Sequence, residues 1–227
     1  MGKLNFLLAE DYLKPKIYFQ SKHTDRFNVG YSSTDYDQFD GLEHLTQMLY
    51  SPKAVIINAF QIDYYQSLPK LICKTLKESR SYKKLYIVGP ELSLSILKRS
   101  SKTVYEKHVN DIGYINVERD FQNVFQKCLM LLKEGHILYI LPETSICWKP
   151  EPLQIFDDKF IPLCSTLLSQ EAHVPILCSS STENSNKITL HAPNIPNEYI
   201  GDFESRIYQQ SESIYDLLEP PTSDYLL

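Results

Sequence analysis

The chain has 227 residues, 43% of them apolar, with 23 Lys+Arg against 28 Asp+Glu for a net charge of −5. That length fits one generous α/β domain with a sizeable core, and the acidic balance removes the basic excess of a nucleic-acid binder. Its seven glycines (2, 30, 41, 89, 113, 135 and 201) allow no G-x-G-x-x-G, no G-x-x-x-x-G-K-[ST] and no G-x-S-x-G, so nucleotide-binding loops and the serine elbow lose their sequence support.

Residues 1–53 are rich in Tyr, Asp, Ser and Gln and form a divergent amino-terminal part, in which 16–20 and 27–31 read as short strands. Asp37–Tyr50 reads as a helix, with Phe39, Leu42, Leu45, Met48 and Leu49 on one face. From residue 54 the pattern becomes regular. Ala54–Asn58 is a β-branched run of the kind that makes a strand buried on both faces. A helix over about 64–78, a strand at Leu85–Gly89 and a helix over Glu91–Lys98 follow. Tyr114–Val117 reads as a strand and Asp120–Lys133 as a helix, in which Phe121, Val124, Phe125, Cys128, Leu129 and Leu132 hold a helical period. Gly135 is placed to cap that helix. Then come a strand at 136–141, a helix at 160–170, strands at 174–178 and 187–191, a helix at 202–217 and a loose tail at 218–227. The alternation predicts a single α/β domain, a mixed and mostly parallel sheet flanked by helices.

The five cysteines show no C-x-x-C spacing, and most sit in apolar surroundings, which predicts inert thiols in a reducing cytosol and no metal site. Cys147, in SICWKP, is the one expected to be exposed. Apolar runs stay far below the roughly 20 residues that span a bilayer, and the amino terminus lacks a signal-peptide pattern. The expectation is a soluble cytoplasmic protein with no transmembrane segment.

In open α/β sheets, sites form at the carboxyl edges of strands, which directs attention to Asn58–Asp63, Gly113–Arg119, Pro142–Ser145 and Pro175–Ser179. Gly113-Tyr-Ile-Asn-Val-Glu-Arg119 resembles the G-x-I-x-V-x-R block of the glycerolipid and lysophospholipid acyltransferase superfamily. Leu141-Pro-Glu-Thr144 is similar to its F-P-E-G-T or P-D-Q block, and Lys159-Phe-Ile-Pro162 with Val174-Pro-Ile-Leu177 to the stretch ending V-P-I-V-P. The spacing resembles most the branch of lipid A lauroyl acyltransferases, over roughly residues 54–180. That resemblance implies an acyltransferase-like fold with no bound cofactor. Its co-substrate is a coenzyme A or acyl-carrier-protein thioester. The acyl group passes to an amine or hydroxyl of a small or carrier-borne acceptor. It places Asp63 and Asn58 at the reacting centre, and Arg119, Glu143, Thr144 and Gly113 around the substrate; His108, five residues before Gly113, is a further candidate catalytic residue by its place in sequence.

One departure bears on the chemistry. The family's His-x4-Asp stands here as Asn58-Ala-Phe-Gln-Ile-Asp63, and an amide has no basic nitrogen with which to act as a general base. Three alternatives stay open. An acceptor that arrives unprotonated needs no base, with Asp63 taking its proton late. A base comes from elsewhere, with His108 nearest Gly113 and His136, His173 and His191 beside other strands. Or the chain is an inactive acyl-chain or carrier-protein binding module. A thioester hydrolase built on Cys147 is a further reading. Thr144 in place of the family glycine, and Cys178 in place of its last proline, are further departures.

Overall fold

A computed structural model describes residues 39–59, 67–104, 112–118, 121–141, 163–181 and 188–217. In chain order these form β1 (Phe39–Asp40), α1 (Leu42–Tyr50), β2 (Val55–Ala59), α2 (Ser67–Glu78), β3 (Leu85–Gly89), α3 (Glu91–Val104) and β4 (Ile112–Asn116). They continue with α4 (Phe121–Lys133), β5 (Ile137–Ile140), α5 (Leu163–Ala172), β6 (Ile176–Ser181), β7 (Ile188–Leu190), a 3-10 turn (Pro196–Glu198) and α6 (Phe203–Leu217). The strands make one sheet of order β1-β7-β6-β2-β5-β3-β4. Every pairing is parallel except β6 with β7. The expected α/β class with a mixed, mostly parallel sheet is what the chain adopts.

Strand alternation sorts the core into two halves. Val55, Ile57, Leu85, Ile87, Ile137 and Tyr139 point to one face, where Leu45, Leu49, Leu68, Ile72, Leu94 and Leu97 of α1, α2 and α3 cover them. Ile56, Val88, Leu138, Ile140, Ile176 and Cys178 point to the second face, under Val124, Cys128, Leu132, Cys164, Leu168 and Ile214 of α4, α5 and α6. Burial on both faces explains why β2, β3 and β5 read as unbroken apolar runs.

Several element ends differ from the sequence expectation. The first helix begins at Leu42 rather than Asp37, because Gly41 takes a left-handed φ of 72° and Phe39–Asp40 pair with β7. A Cβ on Gly41 would lie 2.0 Å from the Leu190 carbonyl oxygen, so this turn before the helix requires glycine. Helix α3 runs on to Val104 although its last turns carry no apolar stripe. The Gly135 cap forms as expected, with Gly135 N–H donating to Leu132 O at 3.1 Å and His136 N–H to Leu131 O at 3.0 Å. Asp202 caps α6 by accepting from Ser205 N–H at 2.8 Å. The strands expected at 16–20 and 27–31 and the tail at 218–227 lie outside the described residues.

Candidate functional site

Strand β2 lies between β5 and β6, and all three run the same way. The chain leaves β2 for α2 on the first face and leaves β5 for α5 on the second. In such sheets a crevice is expected at the carboxyl edge where connections leave adjacent strands to opposite faces, the usual place for a site. The segments that follow β2 and β5 are the ones that carry Asp63, Glu143 and Thr144.

Asn58 stands at the head of this crevice, level with Ile140 of β5 and Cys178 of β6. Only 2% of it is exposed. Its place in the β2 alternation turns it to the second face, where its Nδ2 donates to Ser165 Oγ at 2.8 Å. Its Oδ1 is buried and has no hydrogen-bond partner among the described residues. Ser179 Oγ donates to the Asn58 carbonyl at 3.2 Å, which fastens β6 to β2 at the same level. Asn58 is therefore held inside the sheet–helix interface, with no side-chain atom able to take up a proton.

Gly113, expected beside the substrate, has a packing reason for being glycine. It pairs with Tyr86 of β3, and a Cβ there would lie 2.2 Å from the Tyr86 ring. The ring lies over the bare backbone and also against the His136 imidazole, 5.5 Å between centroids. β4 is the sheet edge, three strands from β2, about 14 Å at ordinary strand spacing. Asp63, His108, Arg119, Glu143, Thr144 and Cys147 lie outside the described residues. Of the seven site residues expected from sequence, Asn58 and Gly113 are described, and they are not brought together: Asn58 is near the carboxyl end of β2, whereas Gly113 is toward the amino end of β4.

The histidines named as substitute bases divide by position. His136 directly precedes β5 and His173 precedes β6, so both stand at the amino edge, opposite the crevice. His136 is occupied there, its Nδ1 accepting from Lys84 N–H at 3.3 Å and its Nε2 lying 3.5 Å from Glu134. His173 takes a left-handed φ of 54° where α5 ends, while Val174 N–H bonds back to Ser169 O.

His191 is the exception. Its N–H donates to Cys178 O, and its Nε2 lies 2.7 Å from Ser180 Oγ. Cys178 is level with Asn58, so His191 lies two strand spacings from Asn58, about 10 Å. The alternation of β6 and β7 puts Ser180 and His191 on the same face as Asn58. Both are half-buried. Burial, reinforced by the neighbouring His44, holds the His191 pKa below that of a free imidazole. Sequence reading named His191 only as a strand-flanking histidine and did not single out Ser180. The run Cys178-Ser-Ser-Ser181 at the end of a buried strand was the available signal.

No protein-family model matches the chain, and no curated protein matches its sequence. Among the described residues no cluster of three or more His, Cys, Asp or Glu could hold a metal ion, and no helix is long and apolar enough to cross a membrane. Cys73, Cys128, Cys164 and Cys178 are buried, and none of them forms a disulfide. Burial pushes Cys128 and Cys178 up to about 12, which removes both from nucleophilic roles near neutral pH.

Proposed function

We propose that this protein is an acyltransferase that moves an acyl group from a coenzyme A or acyl-carrier-protein thioester to an amine or hydroxyl of a small or carrier-borne acceptor. One observation carries this reading. The blocks that resemble the acyltransferase superfamily follow or occupy β2, β5 and β6, and these are three neighbouring parallel strands with Asn58 on the middle one. The fourth block begins near the amino end of β4, at Gly113, and runs toward the carboxyl end of that strand.

In this reading the sheet edge positions the thioester carbonyl against the acceptor, and positioning supplies much of the rate. Asp63 takes the acceptor proton, Arg119 holds an anionic group with its planar fork, and Glu143 and Thr144 form the opposite wall. His108 remains the candidate base from a neighbouring block. Asn58 lines the centre without proton chemistry, so the acceptor arrives unprotonated or another group takes its proton.

The test is incubation of purified protein with medium- and long-chain acyl-CoA and acyl-carrier-protein thioesters and candidate amines, followed by mass spectrometry. Thioester consumption with an acylated product, lost in Asp63→Ala, is the expected result. A second reading, a non-catalytic acyl-chain or carrier-protein binding module, is favoured by the commitment of the Asn58 amide to Ser165. Binding without turnover, unchanged in Asp63→Ala, would establish that reading instead, and turnover gained by Asn58→His would mark a scaffold that had lost its base.

A further inference from the structure

We propose that Ser180 and His191 are a nucleophile and its general base, and that acyl groups pass through an ester on Ser180 Oγ. The substrate class, an acyl thioester, is taken from the acyltransferase reading above; the pair itself stands on its own geometry. Three observations converge on it. The Oγ to Nε2 separation is 2.7 Å, within the reach required of an activated nucleophile. Ser180 sits toward the carboxyl end of β6 and His191 beside Cys178, both on the Asn58 side of the sheet. Both are half-buried, so the pair is neither sealed in the core nor fully solvated.

The pair is held from both strands. Ser180 faces Thr189 across the antiparallel β6–β7 ladder, and His191 is its diagonal neighbour two residues on. Diagonal neighbours on a ladder lie close enough for long side chains to meet. The His191 backbone is fixed by its bond to Cys178 O. Partial burial and the nearby His44 of α1 lower the His191 pKa, and in the Nδ1–H tautomer Nε2 accepts the Ser180 proton. Asp40 of β1 is level with Thr189.

The chemistry balances in two steps. Ser180 Oγ attacks the thioester carbonyl, and His191 Nε2 takes the hydroxyl proton. The C–S bond breaks, and the proton passes to the departing thiolate, leaving an acyl ester on Ser180 and a free thiol. An amine, a hydroxyl or water then attacks that ester, His191 takes its proton, and the C–O bond to Ser180 breaks. Oγ leaves with the proton returned by His191. This route supplies the proton acceptor that Asn58 cannot be.

The test uses the full chain with two probes, an alkyl fluorophosphonate and octanoyl-CoA, with adducts mapped by tandem mass spectrometry. The expected result is a covalent adduct on Ser180 from each probe, absent in Ser180→Ala. His191→Gln, which keeps a hydrogen-bonding side chain, slows both by at least about a hundredfold, the usual scale for a lost general base. Circular dichroism and thermal melting verify that each variant folds. Absence of a Ser180 adduct from natively folded protein overturns the pair, and so does an adduct rate unchanged in His191→Gln. Thioester turnover that survives Ser180→Ala overturns the pair and leaves the acyltransferase reading standing. A Ser180 fluorophosphonate adduct without thioester turnover does the reverse, since it upholds the pair as a serine esterase and removes the acyltransferase reading.

Discussion

Asn58 and Ser165 are 107 residues apart in the chain and 2.8 Å apart in the fold. Their hydrogen bond joins the middle strand of the crevice to the first turn of α5, and it is fully buried. A buried bond of this type contributes about 1 kcal/mol net, and leaving one partner unsatisfied costs about 1–3 kcal/mol. Asn58→Ala should therefore lower unfolding free energy by about 1–3 kcal/mol. A double-mutant cycle with Ser165→Ala should show a coupling of about 0.5–1.5 kcal/mol. Urea denaturation of the four proteins measures both; a coupling near zero would mean that the bond has no energetic role.

Gly113 and Tyr86 make a second relationship, toward the amino ends of β4 and β3. Any side chain at 113 must displace a ring that is already packed on His136. Overfilling such a contact costs about 1–3 kcal/mol. Gly113→Ala should lower stability by that amount. The companion variant Tyr86→Leu, which empties the space over residue 113, should reduce the penalty of the alanine. Thermal melting of the single and double variants checks this. Equal penalties in both backgrounds would return Gly113 to the substrate-binding role that the family block implies.

Much of the fold was legible because burial on two faces leaves an unmistakable apolar run. Leu85–Gly89 was read to the residue, and the Phe121–Leu132 period with its Gly135 cap marked α4 within one residue. Helix α5 was harder. Ser165, Thr166, Ser169 and Gln170 look like a solvent face in sequence, yet all four are buried, Ser165 against Asn58 of β2 and the others against α6. Polarity in sequence does not separate a residue facing water from one facing a buried polar partner. The candidate site divides in the same way. Asn58 was legible from its position at a strand end, whereas Ser165 and the Ser180–His191 pair are brought together only by strand order.

The polar interface that replaces a greasy one between α5 and α6 is a connected network. Gln210 Nε2 donates to Ser169 Oγ at 2.9 Å and to Asn194 Oδ1 at 2.8 Å, and its Oε1 accepts from Gln170 Nε2 at 2.7 Å. Thr166 and Ser211 share a further bond at 2.9 Å. Removing one member of a buried network strands the others. Gln210→Leu should cost about 2–4 kcal/mol, well above a surface substitution, while Gln209→Leu on the exposed side of the same helix should stay within about 0.5 kcal/mol. Denaturant midpoints compare the two. Equal small losses would show that the network is dispensable.

Lys83 gives the fold a pH dependence of its own. It is 5% exposed, and its Nζ donates to Lys53 O at 2.7 Å and Met48 O at 3.0 Å. Burial pushes its pKa from 10.5 down to about 8. Below pH 8 the amine is protonated in folded and unfolded chains alike, and the full cost of burying the charge is present. Between about 8 and 10.5 the folded chain has shed the proton that the unfolded chain retains, so the unfolded state binds more protons and stability rises with pH. Lys83→Met lacks this dependence. The unfolding free energy of the natural protein minus that of the variant should thus climb between pH 7.5 and 10. The climb should be on the order of 1–2 kcal/mol after allowance for solvent screening. Urea titrations across that window measure the difference directly, and a flat or falling difference would place the Lys83 ammonium in a site that holds it charged.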